Sequence, residues 1–443
     1  MLVFAPLLRG GNRPFPLLVL EIAAVAGLVL FAFAALRGGV SSRLPRALVA
    51  ALALLLLVPL LQRWLYLPVP WWGALPGHAP YAAILDLAGS ANGWRPPSIH
   101  PRATEYAWLA LLPGVSVFLL VSFSSRSRLR RLATVFVGVA VAEAALGMMQ
   151  VGSGRDSWLH LGNAFGGSAA TGTYVNKNHF ASLMAMALPM AIALWALEAL
   201  PPRARSGEAG LAHPRHADRR IAVNIVLAMM LLLLVGGLTL SSSRAGIGSG
   251  LLAASLAFMA LAWRTGPRRL QAALVATALA GLGMAAYAGL TPVIDRFSPD
   301  NLSAGAGGRL ELSMASLRAA VDFLPFGSGL GTFADVFRRH QGETLPGFID
   351  HAHNDYAEVL VELGIAGAII VALGLYAYAR RWSELLRARA SRSLGYLQVG
   401  AGLGMLAMIV HAAFDFNFHI PANALYFAFL AGIFFFTPDA DRA

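Results

Sequence analysis

The chain has 443 residues, of which 57% are apolar and only 13% are charged, and its mean hydropathy is +0.64. Soluble domains are about 45–50% apolar and about 25% charged, so a water-soluble fold of this length could not bury so much apolar surface. The absence of cysteine excludes disulfide and thiol chemistry. A formal net charge of +12 is compatible with nucleic-acid binding, but the positions of the charges favour a different explanation.

Apolar segments long enough to cross a bilayer recur along the chain, since a helical span needs about 20 apolar residues. The first is too long for the apolar core of a signal peptide and lacks a basic flank with a cleavage site. We therefore predict an all-α, polytopic transmembrane helix bundle of about 11–12 spans, formed by a single integral membrane domain, 1–443. The spans lie near 15–36, 46–62, 106–123, 132–151, 179–200, 221–240, 245–263, 269–290, 356–379, 394–414 and 422–437.

Arginine-rich connections follow every other predicted span, and the positive-inside rule places such connections in the cytoplasm. The basic excess is therefore a topology signal, and we predict no nucleic-acid partner. This alternation puts the N-terminus outside and the C-terminus inside. It also predicts the outer loops, which are 63–105, 152–178, 241–244, 291–355 and 415–421.

The longest outer loop, 291–355, has a helical pattern of its own, whereas 63–105 is a smaller loop. Apolar residues recur at helical spacing from Arg309 to Phe323, and a second short pattern runs from Thr332 to Arg339. Amphipathic helices of this kind lie at a membrane surface and can cover a cavity.

A polar run, Asp350–Tyr356, leads directly into the ninth span, which carries Glu358 and Glu362 one helical turn apart. A carboxylate within a span costs about 2.5–3.5 kcal/mol on insertion scales, so such residues usually face a wet cavity and have a function. The alternative is a structural carboxylate that is hydrogen-bonded to a neighbouring helix.

Three further polar points lie in the predicted outer loops. Arg244 opens a span whose first N–H groups suit an anion, or else it reaches towards lipid headgroups. Lys177 and Asn178 open the fifth span, where they either bind a ligand or cap the helix. Asp415 begins the short loop 415–421, which is otherwise a simple turn.

Metal and nucleotide motifs are incomplete in this sequence. The run from His351 to Asp355 begins like the HxHxD run of metallo-hydrolases, but Tyr356 occupies the position of its final histidine. A P-loop requires Gly-Lys-Ser/Thr, and Lys177 lies between two asparagines. We therefore expect no metal site and no cofactor.

Four short motifs, in order, resemble those of the O-antigen ligase and polymerase superfamily of bacterial membrane glycosyltransferases. The family signature is similar to the segment His353–Gly364, which follows a long outer loop as it does in that family. Further similar elements are Gly327–Phe333, Ser242–Gly246 and Asn176–Asn178. The resemblance covers roughly residues 150–425 and implies a GT-C-like fold.

The resemblance also implies an activity, which is metal-independent, inverting glycan transfer on the periplasmic face of the bacterial inner membrane. The implied donor is a glycan on undecaprenyl diphosphate, and the acceptor is a sugar hydroxyl on lipid A-core or on a second lipid-linked glycan. Arg244 and Arg309 match the family's arginines, which we assign to the diphosphate. His353 matches its histidine, which serves the acceptor hydroxyl either as a base or only as a hydrogen-bond acceptor that positions it. Candidate substrate-binding residues are Glu362, Asp355, Asn354, Lys177, Asn178 and Asp415, of which Glu362 and Asp355 could instead orient His353.

A transporter or lipid-glycan flippase is the alternative reading, because Glu21 and Glu143 lie within predicted spans. The sequence shows no clear internal repeat, however, and its polar residues concentrate on one face. An O-antigen ligase and a polymerase also remain equally compatible with the sequence, since the acceptor cannot be read from loop 291–355.

Overall fold

The computed structural model describes residues 1–437 apart from 38–43, 91, 164–166, 200–213, 266–298, 343–344, 346 and 388–391. Within these ranges, eight helices are long and apolar enough to cross a membrane, and two further apolar helices are shorter. This confirms the all-α polytopic bundle. Ten of the predicted spans correspond to these ten helices, and the predicted span 269–290 lies outside the described residues.

The described helices are numbered here in chain order. They are α1 Phe4–Leu7, α2 Pro14–Leu36, α3 Arg46–Trp64, α4 Val69–Gly73, α5 Ala79–Leu87, α6 Pro101–Ser122, α7 Arg126–Ser153, α8 Lys177–Ala199, α9 Pro214–Leu240, α10 Arg244–Thr265, α11 Pro299–Phe323, α12 Phe333–Phe337, α13 Asp355–Arg387, α14 Arg392–His411 and α15 Pro421–Phe435. Two short antiparallel strands, Leu67–Pro68 and Trp94–Arg95, complete the segment before α6. Short 3-10 turns lie at Arg9–Gly11, Trp158–His160 and Asn417–His419.

Helix α8 forms the centre of the bundle. Of its most apolar 18-residue window, 94% is buried, compared with 17% for α2, which therefore lies at the periphery. A helix that is apolar on every side is stable only when other helices surround it. Accordingly α8 packs against α9, α10 and α14, while α14 also packs against α15.

Helices α11 and α12 build a second apolar cluster against the beginning of α13. Phe323, Phe333 and Phe337 are buried there with Val361 of α13. Both helices belong to the predicted loop 291–355: α11 ends at Phe323 as predicted but begins ten residues before Arg309, and α12 is shorter than the predicted pattern. We call the end of the bundle where α13 begins the site end.

A glycine-rich turn joins α11 to α12 and fits against a kink in α13. Gly364 interrupts α13 with φ 58° and ψ −139°, and a Cβ atom at this position would overlap the carbonyl of Pro325. Gly327 also has a positive φ, and its Cβ atom would overlap the carbonyl of Glu362. Because only glycine allows both the conformation and the close approach, the turn is locked against α13.

Candidate functional site

The chain turns sharply just before α13, at His353. His353 has a φ of 48°, in the left-handed region that residues other than glycine rarely adopt. Oδ1 of Asn354 accepts hydrogen bonds from the backbone N–H groups of Tyr356 and Ala357, and so caps α13. The Asp355 N–H donates to the carbonyl of Ala412 at 2.9 Å. Strained positions held by such contacts are concentrated at functional sites.

Asp415 is the partner of the His353 imidazole. Nδ1 of His353 lies 2.9 Å from Oδ1 of Asp415, whose carboxylate is fully buried, while the His353 side chain is 30% exposed. Asn178 donates to the other Asp415 oxygen at 2.6 Å. Burial opposes ionisation of Asp415, but the hydrogen bond from His353 and the charge of nearby His179 hold its pKa below the usual range. Asp415 therefore fixes the proton of a neutral His353 on Nδ1 and leaves the Nε2 lone pair available.

A second group of histidines and carboxylates lies beside this pair. Oε1 of Glu358 is 2.7 Å from Nδ1 of His351 and 3.2 Å from Nε2 of His419. Nδ1 of His419 in turn donates to Asp355 at 2.9 Å. Burial alone would lower the pKa of His419, but the charges of Glu358 and Asp355 outweigh it and raise the pKa to about 10. The group therefore favours positive charge between its two carboxylates.

The ring of Phe416 contacts both groups. His351 stacks on it with ring centroids 4.2 Å apart, and His353 contacts it edge to face at 4.8 Å. The Phe416 N–H donates to Asp415, so the same residue also fixes the carboxylate that holds His353.

Glu362 binds the glycine-rich turn through hydrogen bonds. Its Oε1 accepts from the Phe333 N–H at 3.0 Å, and its backbone carbonyl accepts from the Gly329 N–H and from the side chain of Gln62. Gln62, on α3, also accepts from the Leu330 N–H. These bonds connect α3, the turn and α13.

A buried polar layer lies beneath Asp415. The Ser182 hydroxyl donates a hydrogen bond to Oδ1 of Asn417 at 2.7 Å. It accepts one from Nδ1 of His411 at the same distance. Nε2 of His179 and Nδ2 of Asn417 are buried without a hydrogen-bond partner among the described residues. The layer connects α8, α14 and the loop after α14, and so supports the position of Asp415.

Arg244 and Lys177 lie at the beginnings of two helices in this region. Arg244 begins α10, whose third residue, Gly246, packs so closely against Ala181 and His411 that a side chain there would overlap Ala181. Lys177 begins α8, one residue before Asn178. Arg309 belongs to α11, and its side chain lies outside the described part of the structure.

The sequence suggested that Asp355 or Glu362 could orient His353, but both carboxylates have other partners in the structure. Asp415 accepts the His353 hydrogen bond, whereas Asp355 pairs with His419 and Glu362 binds the turn. Glu143, one of the two residues behind the transporter alternative, accepts hydrogen bonds from the Thr173 N–H and hydroxyl. Glu143 thus holds the segment 169–176 through Thr173, and this structural role explains the presence of a carboxylate within a span.

Sequence reasoning missed His419 and the participation of His351. The signal was present, since His419 follows Asp415 by four residues and His351 precedes His353 by two. The position of His419 does not predict which carboxylates it contacts, because Asp355 and Glu358 lie about 60 residues earlier in the chain.

The fold and this geometry define a class: a multi-pass membrane protein with histidine–carboxylate groups at one end of its bundle. The model of a family described as O-antigen ligase matches residues 229–372. The match confirms the resemblance of the motifs to the O-antigen ligase and polymerase superfamily. A comparison with curated proteins finds no match.

The matched region supports a ligase- or polymerase-type glycosyltransferase that acts on lipid-linked glycans in general. It contains Arg244, Arg309, His353 and Glu358 but ends before Asp415 and His419. The partners of both imidazole groups therefore come in part from outside the matched region.

Proposed function

We propose that the protein transfers a glycan from undecaprenyl diphosphate to an acceptor sugar hydroxyl, on the periplasmic face of the bacterial inner membrane. The observation that carries this proposal is the 2.9 Å contact between His353 and buried Asp415, because it prepares a partly exposed imidazole to accept a proton. The family match supplies the reaction class.

His353 acts as the general base in this scheme. Nε2 takes the proton of the acceptor hydroxyl while the hydroxyl oxygen attacks the anomeric carbon of the donor glycan. The bond from that carbon to the diphosphate oxygen breaks, and its electron pair leaves with undecaprenyl diphosphate. Direct displacement inverts the anomeric configuration. Asp415 stabilises the imidazolium that forms.

Arg244 and Arg309 stabilise the departing diphosphate. A guanidinium pairs two phosphate oxygens through its planar fork and remains charged at any physiological pH. The beginning of α10 adds backbone N–H groups and the positive end of the helix dipole. Lys177, at the beginning of α8, is a further donor contact in this proposal.

The predicted arginine-rich connections support the orientation, because they put the site end on the side opposite the cytoplasm. A lipid-linked donor can then reach His353 from the membrane. The acceptor is lipid A-core for a ligase or a second lipid-linked glycan for a polymerase.

The test is transfer by the purified chain, supplied with undecaprenyl-diphosphate-linked glycan and acceptor. His353→Ala should lower the rate by about 10²–10⁴-fold, the usual contribution of a general base. His100→Ala is the matched control, because it removes an exposed histidine that also pairs with an aspartate, Asp335. Undiminished transfer by His353→Ala would remove the base from the proposal.

A second experiment addresses the leaving group. Arg244→Glu should abolish transfer while the protein remains in the membrane, and Arg244→Lys should retain part of the rate because it keeps the charge but not the fork. Loss of one such contact usually costs about 10²–10³-fold. Normal turnover by Arg244→Glu would contradict the diphosphate role.

The acceptor class follows from the surface polysaccharide of a deletion strain. Free, unattached polymer indicates a ligase, whereas single attached repeat units indicate a polymerase.

A further inference from the structure

The group of His351, Glu358 and His419 has the geometry of a metal-binding site. One nitrogen from each imidazole and one Glu358 oxygen all lie within 4.8 Å of one another. The two imidazole nitrogens approach the same oxygen, Oε1, at 2.7 and 3.2 Å. Three possible donor atoms therefore lie in one close cluster.

We propose that His351, Glu358 and His419 bind a divalent transition-metal ion, and that zinc fits the site best. Zinc accepts imidazole nitrogen and carboxylate oxygen, and two histidines with one glutamate are a known zinc ligand set that leaves a fourth position for water. Imidazole-rich sites discriminate against calcium and magnesium, which prefer oxygen ligands.

The groups behind these ligands support the proposal. Nδ1 of His419 donates to Asp355, which leaves Nε2 facing Glu358, and the second Asp355 oxygen accepts from the Phe418 N–H. The second Glu358 oxygen accepts from the Ala352 N–H at 2.8 Å. A carboxylate behind a ligating histidine is the usual way in which proteins orient such a ligand.

The charges of the group are compatible with a divalent ion. Asp355 and Glu358 are both buried, and the hydrogen bonds described for them come from imidazoles and backbone N–H groups. Burying a carboxylate costs free energy unless an opposite charge lies close by. Two protonated imidazoles balance both charges, and one divalent ion does so while the imidazoles stay neutral ligands.

The site is also open to an ion from outside. The side chains of His351 and His419 are 24% and 23% exposed, although Glu358 is buried. The incomplete HxHxD run does not argue against this set, because only its first histidine takes part.

The metal would organise the site and take no part in the transfer step. Phe416 contacts both His351 and His353, and the ligands come from the segment around the start of α13 and from the loop after α14. An ion bound by His351, Glu358 and His419 would fasten that loop to α13, and Asp415 belongs to the same loop. It would therefore hold Asp415 in place for His353.

The first experiment uses the full chain in detergent, stripped with a chelator and then titrated with zinc alone. We expect one zinc ion per chain by elemental analysis and, with cobalt as a spectroscopic substitute, absorption typical of a four-coordinate ion. A chain that binds no zinc would overturn the proposal and would leave His419 as an imidazolium between two carboxylates. This result does not depend on any variant folding correctly.

Variants then test the ligand set. Glu358→Gln and His419→Ala should weaken zinc affinity by more than about 100-fold, and Asp355→Asn by about 10–100-fold, the usual effect of a group behind a ligand. His353→Ala is the matched control: it should keep full zinc affinity although it loses transfer. Retained affinity in Glu358→Gln would overturn the ligand assignment, whereas active His353→Ala protein would contradict only the proposed function.

Discussion

Two histidine–carboxylate groups contact the ring of Phe416, and they are built from the same two segments of the chain. In the first group, Asp415 pairs with His353 through a single hydrogen bond. In the second group, Glu358 pairs with both His351 and His419, and His419 also pairs with Asp355. The two groups thus share residue types and origins, but only His419 has a carboxylate at both of its nitrogens.

That difference in partner number decides the chemistry. An imidazole with one carboxylate keeps a free nitrogen, which suits proton transfer. An imidazole whose two nitrogens both face carboxylates has no nitrogen free for a substrate, so it suits charge balance or a metal. Residue type alone therefore does not distinguish a base from a ligand.

The largest effect that would test this contrast comes from Asp415→Asn. The amide NH₂ can donate to Nδ1 of His353, which would move the imidazole proton to Nε2 and remove the base. We expect the transfer rate to fall by about 10²–10⁴-fold. The rate is measured with the purified chain and a lipid-linked donor.

Asp335→Asn is the matched control for that substitution. Asp335 also pairs with a histidine, His100, at 2.8 Å, but both side chains are about half exposed, so transfer should stay at the wild-type rate. If Asp415→Asn protein were as active as the Asp335→Asn protein, then Asp415 would not set the proton position on His353.

The sequence was sufficient for the bundle because span formation depends on local apolarity. The third and fourth predicted spans begin at 106 and 132, whereas the corresponding helices α6 and α7 begin at Pro101 and Arg126. The reason is that charged residues such as Arg102 and Arg128 lower hydropathy without interrupting a helix.

The site was only partly predictable, because its pairings are long-range. The motif around His353 was recognisable, but its partner lies 62 residues away in the chain. The bond between Gln62 and the Leu330 N–H spans 268 residues. Such contacts depend on how α3, α13 and α14 pack, which no local pattern encodes.

A smaller effect is expected from Gly327→Ala, on the Glu362 side of α13. The added carbon would overlap the Glu362 carbonyl, so the glycine-rich turn would have to move. Overpacking of this kind costs about 1–3 kcal/mol of the free energy of unfolding. Thermal unfolding in detergent micelles should show a lower Tm.

Gly347→Ala is the control that distinguishes the effect of steric overlap from the effect of backbone strain. Gly347 also has a positive φ, but no described atom lies within 4 Å of an added carbon. Gly347→Ala should therefore lower the free energy of unfolding by less than Gly327→Ala does. The difference between the two variants should be about the overpacking cost. Equal Tm values for the two variants would mean that the turn does not press against α13.

The smallest effect concerns Asn354, which lies between His353 and Asp355 and so between the two groups. Its Oδ1 caps α13, and loss of a cap costs about 0.5–2 kcal/mol. Asn354→Ala should lose that stability, whereas Asn354→Asp should keep it because aspartate caps equally well. If the cap is the whole role, Asn354→Asp protein should also transfer glycan at the wild-type rate. A lower rate at unchanged Tm would instead show that the amide NH₂ contacts the substrate, as the sequence had suggested for this residue.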